Sequence, residues 1–267
     1  MICTTGTTCA RQPIACLILH GLGGGPYELE PLIEAIKRKG FLVAAPVLPG
    51  HDGLGPIMPS SKWIDWATTA EAAFDELADT MQRVAVIGFS TGATLALYLA
   101  SRKAVKRQVL MAPFLAIRYT GLIPLHPATY LRHLAQLIPD LPRRPPAVRD
   151  PEMKQWAKGT DRFRTFSLHA ALSALELIDE VKPLVPTITT PTLIIQGRVD
   201  TVVEPTNATW LYQKLGTNEK LLIILPRSDH LVALDRERHR VIQVVLEFLL
   251  KTNDSTGADQ RAKAREI

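Results

Sequence analysis

The fold is decided by the stretch Val84-Ala85-Val86-Ile87-Gly88-Phe89-Ser90-Thr91-Gly92-Ala93-Thr94-Leu95-Ala96-Leu97-Tyr98-Leu99. Its first part is an apolar run rich in β-branched residues, which predicts a buried strand. Its last part has apolar residues at helical spacing. Glycines stand two residues before and two after Ser90, where side chains would clash in a tight turn. The stretch therefore predicts a strand that turns at once into a helix, with Ser90 at the turn.

A serine at such a turn is lifted clear of the sheet and lies in front of a helix N-terminus. The free N–H groups and the dipole of that terminus favour a developing negative charge. This arrangement is a nucleophile elbow, for which a bare G-x-S-x-G is a weak signal and the strand–turn–helix context is the test. The alternative is a Gly-Ser turn without chemistry, which the strand–turn–helix context makes the less favoured interpretation.

The rest of the chain alternates strands and helices on both sides of this stretch. Apolar runs predict further strands at Ala15–Leu19, 41–46, 108–113, 192–197 and 220–225, with helices between them. This alternation predicts an α/β fold with a mostly parallel central sheet flanked by helices. It breaks over 115–186, where helical patterns and a Pro/Arg-rich connector predict a helical cap insertion. We thus expect a core of residues 1–114 and 187–252, a cap of 115–186 and a disordered tail of 253–267.

Composition excludes several classes of protein. The 267 residues suit one α/β domain with an insertion, and the net charge of +5 is scattered rather than gathered into a nucleic-acid patch. No signal peptide and no run of about 18 apolar residues is present, so we expect a cytoplasmic protein without integral membrane association. The three cysteines, Cys3, Cys9 and Cys16, form no disulfide framework, and no histidines stand near them at metal spacing.

A serine nucleophile needs a base, and the base needs an orienting acid. In this type of sheet the acid and then the histidine follow the serine along the chain, at the C-terminal ends of strands. Asp200 follows the strand that ends at Gly197, and Glu204 is the alternative acid. His230 follows the strand that ends at Leu225, whereas His239 falls inside a predicted helix among arginines.

The segment His20-Gly21-Leu22-Gly23 ends the first strand and suits an oxyanion hole. Its donors would be the backbone N–H groups of Leu22 and Thr91. His20 is interpreted as a residue that fixes the loop. Gly23-Gly24-Gly25 lacks the remainder of a phosphate-loop or dinucleotide motif. His51-Asp52 has no third ligand nearby and is interpreted as turn structure.

The sequence resembles the α/β-hydrolase superfamily, and within it the bacterial carboxylesterase/monoacylglycerol lipase group. The resemblance rests on Leu17–Tyr27, Ala45–Asp52, Val86–Ala93, Ile195–Val203 and Ser228–Asp235, and covers about residues 15–250. It implies that Ser90 is the nucleophile, Asp200 the acid and His230 the base. It also implies that Leu22 and Thr91 supply the oxyanion N–H groups, and that 115–186 is a lid over the acyl pocket. Ala93 replaces a further glycine of many relatives, which should leave the elbow intact.

These observations predict a serine carboxylesterase that hydrolyses short- to medium-chain esters through an acyl-enzyme, without cofactor or metal. The expected partner is a small-molecule ester with an apolar acyl group. The alternatives within the superfamily are a monoacylglycerol lipase, a thioesterase, a carbon–carbon bond hydrolase and a cofactor-free haloperoxidase. From another class, the alternative is a non-catalytic binding protein on a hydrolase scaffold. The cap matches no pattern that would identify the substrate.

Overall fold

The computed structural model describes residues 14–53, 55–116, 134–160 and 163–251. Six strands of this part form one sheet in the order β2-β1-β3-β4-β7-β8, and every pairing in it is parallel. The strands are β1 (Ala15–Leu19), β2 (Leu42–Ala44), β3 (Val84–Phe89), β4 (Arg107–Met111), β7 (Thr192–Gly197) and β8 (Lys220–Leu225). The predicted parallel sheet flanked by helices is confirmed.

Helices cover both faces of the sheet. They are α1 (Glu30–Arg38), α2 (Trp63–Thr80), α3 (Thr91–Arg102), α4 (Pro151–Thr160), α5 (Leu168–Val181), α6 (Thr206–Lys214) and α7 (Arg238–Leu250). Short 3-10 helices lie at Pro26–Leu29 and Lys182–Thr187. Because side chains alternate along a strand, Leu17 packs under the layer of α2, α3, α5 and α6, while Ile18 packs under α1 and α7.

The segment expected to be a purely helical cap also contains strands. β5 (Asp140–Pro142) and β6 (Thr165–Ser167) pair as an antiparallel ribbon. The backbone N–H of Arg143 extends the ribbon by donating to the carbonyl of Arg164 at 2.9 Å. Proline at position 142 and the Pro145-Pro146 pair oppose a helix here, which favours extended backbone.

Helix α5 packs against the core, although the sequence pattern assigns it to the cap. Its buried side chains, including Ala170, Ala174 and Leu177, pack with those of α2 and α3 against the sheet. We therefore end the insertion at Ser167 rather than at 186. The predicted helix over 128–137 is described only at 134–137, which is helical. Cys3, Cys9 and the tail from 253 lie outside the described residues.

Candidate active site

Ser90 occupies the turn between β3 and α3 with a backbone φ of 54°. This left-handed conformation is unfavourable for a residue with a Cβ atom, and such strain concentrates at functional sites. A Cβ on Gly88 would lie 2.2 Å from the carbonyl oxygen of Gly92, and one on Gly92 would lie 2.2 Å from that of Leu19. Both positions therefore require glycine, as the sequence pattern predicts.

The structure brings together the three side chains that the sequence singles out. The Oγ of Ser90 lies 3.1 Å from Nε2 of His230, and Nδ1 of His230 lies 2.9 Å from Oδ2 of Asp200. Because an ionised carboxylate only accepts hydrogen bonds, we assign the imidazole proton to Nδ1. Nε2 is then free to accept the proton of the Ser90 hydroxyl.

Asp200 is fully buried and saturated with hydrogen-bond donors. Its Oδ1 accepts from the backbone N–H groups of Val202 at 2.8 Å and Val203 at 2.9 Å, and its Oδ2 accepts from Nε2 of Gln196 at 2.9 Å. Burial alone would raise the pKa of this carboxyl, but the charge and hydrogen bond of His230 and these backbone donors outweigh it. The pKa of Asp200 is therefore lowered, and the side chain remains a carboxylate that orients the imidazole.

Three further carboxylates hold the loop that carries His230. Oδ1 of Asp229 accepts from the backbone N–H of His230 at 2.9 Å and from both the N–H and hydroxyl of Thr201. The carboxylate of Asp235 accepts from the backbone of Asp229, and that of Glu237 accepts from the hydroxyl of Ser228 at 2.8 Å. Sequence reasoning missed Asp235 and Glu237. The sequence feature that could have identified them is the number of acidic residues within seven positions of His230.

The expected oxyanion loop is held by two buried histidines. Nε2 of His20 accepts from the backbone N–H of Leu48 at 3.0 Å, and Nε2 of His51 accepts from that of Gly23 at 2.9 Å. Burial and the neighbouring His51 lower the pKa of His20 to about 3, and burial likewise lowers that of His51. Both imidazoles are therefore neutral at pH 7. His20 thus has the loop-fixing role expected for it.

The backbone N–H groups of Leu22 and Thr91 are the ones expected to form the oxyanion hole. Thr91 is the first residue of α3, so its N–H has no acceptor within the helix. The N–H of Leu22 has no hydrogen-bond partner in the described part of the chain. A Cβ added at Gly21 would lie 3.1 Å from the Cβ of Ser90, so the loop and the serine are in close approach.

Arg143 of the insertion contacts the expected oxyanion loop, His20–Gly23. One guanidinium nitrogen donates to the carbonyl oxygen of Gly23, and the other lies 4.0 Å from the carboxylate of Glu28. Both side chains are largely buried. Sequence reasoning missed this pair, because 120 residues separate Arg143 from Gly23 and no local pattern joins them.

A cavity of about 770 Å³ opens over Ser90 and His230. One wall is formed by the sheet end, with Phe89 and Phe114, and the opposite wall by the ribbon and the connector, with Leu141 and Phe166. The insertion thus lies over Ser90, and its inner surface combines apolar and basic side chains. The expectation of an apolar pocket is therefore met only in part.

Two candidates from the sequence lie apart from this cluster. Glu204 does not line the cavity, and His239 is exposed on the first turn of α7. Among residues 14–53, 55–116, 134–160 and 163–251, no three His, Cys, Asp or Glu side chains are grouped as metal ligands. None of the described helices has the length and apolar character needed to cross a bilayer.

Comparison with known proteins matches the chain to one family over most of its length. The family model for serine aminopeptidase, S33, matches residues 11–237. The thermostable monoacylglycerol lipase of Bacillus sp. (strain H-257) is 29% identical over 246 residues, which are 90% of this chain and 91% of that protein. A carboxylesterase of Bacillus subtilis (strain 168) is 25% identical over 238 residues, covering 89% and 92% of the two chains.

Among solved structures, the fold is similar to that in a study of LipS and LipT, two metagenome-derived lipolytic enzymes. The TM-score is 0.78 at 25% sequence identity, and the match covers 89% of this chain and 94% of the other.

Proposed function

The chain belongs to the serine aminopeptidase S33 family of α/β hydrolases, within the bacterial esterase/lipase group, and we propose that it is a serine carboxylesterase using Ser90, Asp200 and His230. It is an ester hydrolase of the EC 3.1.1 type. The observation that carries the proposed mechanism is the continuous hydrogen-bonded chain from Oγ of Ser90 through His230 to Asp200, with Ser90 and His230 lining a cavity.

In the proposed reaction, Oγ of Ser90 attacks the ester carbonyl while Nε2 of His230 takes its proton. The N–H groups of Leu22 and Thr91 stabilise the oxyanion of the tetrahedral intermediate. The intermediate collapses to an acyl-enzyme, and His230 returns the proton to the departing alcohol. Water then attacks the acyl-enzyme by the same steps, which releases the acid and restores Ser90. Atoms and charge balance without a cofactor.

The charges lining the cavity distinguish ester hydrolysis from aminopeptidase chemistry. An aminopeptidase must bind the substrate's terminal ammonium group, for which carboxylates are the natural partners. The two acidic side chains that line the cavity, Glu28 and Asp229, each lie opposite an arginine. This supports an ester without an ammonium group. Monoacylglycerol lipase and thioesterase activity are alternatives that use the same groups.

The test is labelling with a fluorophosphonate probe together with a panel of p-nitrophenyl esters of graded chain length and monoacylglycerols. We expect Ser90→Ala to fold, to escape labelling and to lose on the order of 10⁶-fold in kcat, because it removes the nucleophile. The control is Ser101→Ala in the last turn of α3, where the hydroxyl donates to the carbonyl of Tyr98; this variant should retain activity. Substantial turnover by Ser90→Ala would refute the proposal.

The base is tested by comparing two histidines. His230→Ala should abolish hydrolysis because it removes the proton acceptor of Ser90, whereas His239→Ala removes only an exposed side chain. The reverse result would show that the base is misassigned.

A further inference from the structure

We propose that the cavity accepts esters that carry a carboxylate or phosphate group, and that Arg144 and Lys154 bind this anionic group. The proposal rests on the function proposed above, since it concerns the substrate of the same cavity. It goes beyond an apolar acyl pocket by assigning a charged subsite to the insertion.

The first observation is an excess of positive charge around the cavity. Four basic and two acidic side chains line it: Arg143, Arg144, Arg149, Lys154, Glu28 and Asp229. Each of the two acidic side chains has an arginine as its partner. Glu28 lies opposite Arg143, and Oδ2 of Asp229 lies 3.2 Å from Nε of Arg149.

The side chains of Arg144 and Lys154 are left without partners. Within the described part of the chain, neither has a hydrogen bond or ion pair, although both line the cavity. A cleft lined by one sign of charge attracts ligands of the opposite sign and raises their local concentration. A neutral ester has no group that would use two cations, whereas an anionic ester does.

The second observation is that the backbone presenting these cations is fixed at both ends. On one side of Arg144, the ribbon holds Arg143 to Arg164. On the other side, the carbonyl of Ala147 accepts from the N–H of Leu231 at 3.2 Å. A subsite on a restrained backbone loses less conformational freedom when it binds a ligand.

Helix α4, which carries Lys154, is also held in place by hydrogen bonds. Oδ1 of Asp150 accepts from the N–H groups of Glu152 and Met153 at 3.1 Å, which caps the first turn. Oδ2 of Asp150 in turn accepts from the guanidinium of Arg238 at 2.7 Å. The ammonium group is thereby presented from a capped helix rather than a loose loop.

Apolar side chains line the same cavity as these cations. Leu141, Val148, Phe166 and Leu168 all line the cavity. This combination fits an amphiphilic ester with an apolar part and an anionic end. The anion can lie on the acyl side, as in a half-ester of a dicarboxylic acid, or on the alcohol side, as in an acylated glycerol phosphate.

The experiment compares matched neutral and anionic esters. The acyl-side pair is p-nitrophenyl pentanoate and the p-nitrophenyl half-ester of glutaric acid. The alcohol-side pair is lauroyl glycerol and lauroyl glycerol phosphate. We expect the anionic member of at least one pair to have the higher kcat/KM, and which pair shows the preference identifies the side. High salt should reduce the preference, because charges on an open cavity are screened.

Variants test the assignment to individual residues. Arg144→Gln and Lys154→Gln should each lower kcat/KM for the preferred anionic ester by about threefold to tenfold, mainly through KM, because Arg144 is exposed and Lys154 half-buried and solvent screens part of their charge. The neutral ester should change less than about twofold. Lys158→Gln removes an exposed lysine from the same helix that does not line the cavity, and should alter neither ester. Thermal melts check that each variant is folded.

Each result decides the matter. Equal kcat/KM within both pairs, or equal effects of the variants on neutral and anionic esters, overturns the anionic subsite while hydrolysis and Ser90 labelling persist. Loss of Ser90 labelling and absence of turnover for every ester overturns the proposed function itself, and the subsite with it.

Discussion

The carboxylate of Asp235 accepts a hydrogen bond from the backbone nitrogen of Asp229 at 2.7 Å, immediately before His230 in the chain. Its other oxygen accepts from the backbone nitrogens of Arg149 and Asp150 at 2.9 Å each. A single buried side chain thus joins the histidine loop to the connector that lines the cavity. Asp235 does not line the cavity, so it positions the histidine loop and the connector without facing the substrate.

Replacing Asp235 with Asn should weaken the hydrogen bonds that join the histidine loop to the connector. The amide keeps one acceptor oxygen but turns an NH₂ group towards backbone N–H groups, which leaves buried donors unmatched. We expect the free energy of unfolding to fall by about 1–3 kcal/mol and kcat to fall as His230 loses its orientation. Urea unfolding and ester hydrolysis measure the two effects. Asp179→Asn, at an exposed position on α5, is the control, and equal behaviour of the two variants would contradict the role of Asp235.

The elbow glycines make a second test. Gly92→Ala would place a Cβ atom 2.2 Å from the carbonyl oxygen of Leu19, in backbone that cannot move without displacing β1. Overpacking of this kind costs about 1–3 kcal/mol or more, and we expect loss of activity as the turn shifts. Gly159→Ala, where no atom lies within 4 Å, should instead stabilise helix α4 by about 0.5–1 kcal/mol. Thermal melts compare both variants with the parent protein. If Gly92→Ala is as stable as the parent, position 92 does not require glycine.

The elements that sequence could predict are those encoded locally. The apolar runs of β1, β7 and β8, the glycine spacing around Ser90, and the positions of Asp200 and His230 after strands all depend on a few adjacent residues. The parallel sheet follows from their alternation with helices. In that sheet the ends of β3, β7 and β8 lie at one edge, where the three side chains of the proposed triad meet.

The features that sequence missed depend on contacts between distant segments. Strands β5 and β6 are only three residues each, too short to show alternation, and they exist because each supplies the other's hydrogen bonds. The contact of Arg143 with the Gly23 loop likewise requires the folded ribbon. The sequence pattern places helix α5 in the cap because a period shows that a helix has an apolar face, but not which surface that face covers.

Acid should destabilise the fold through the buried histidines. His20 has a folded pKa of about 3 and an unfolded reference of about 6.5, so below that reference the unfolded chain takes up a proton that the folded chain does not. Stability should therefore fall as the pH drops below about 6.5, with a slope approaching about 1.4 kcal/mol per pH unit from His20, and His51 adds in the same direction. Urea unfolding between about pH 7.5 and 5.5 measures the slope.

Substitution identifies the groups responsible for this pH dependence. His20→Asn should be less stable at neutral pH, because Leu48 loses its acceptor, yet should show a shallower slope. His239→Gln removes an exposed histidine and should leave the slope unchanged. A His20→Asn variant with the parent's slope would show that other groups take up the protons.

The proposed lid is tested through Phe166, whose ring lies on β6 and lines the cavity. A Cβ added at Gly23 would lie 3.3 Å from this ring, so Phe166 packs against the oxyanion loop and limits the space near it. Each methylene that the cavity buries contributes about 0.8 kcal/mol, so kcat/KM should rise about fourfold per methylene until the cavity is full.

Phe166→Ala should move that limit to longer acyl chains, because the space of the ring becomes available to substrate. Activity on the shortest esters and fluorophosphonate labelling of Ser90 should persist, since neither depends on filling that space. Leu137→Ala removes a side chain that is 83% exposed elsewhere on the insertion, and should leave the chain-length profile unchanged. If the two variants share the parent's profile while remaining folded in thermal melts, Phe166 does not bound the acyl site and the insertion does not set substrate range there.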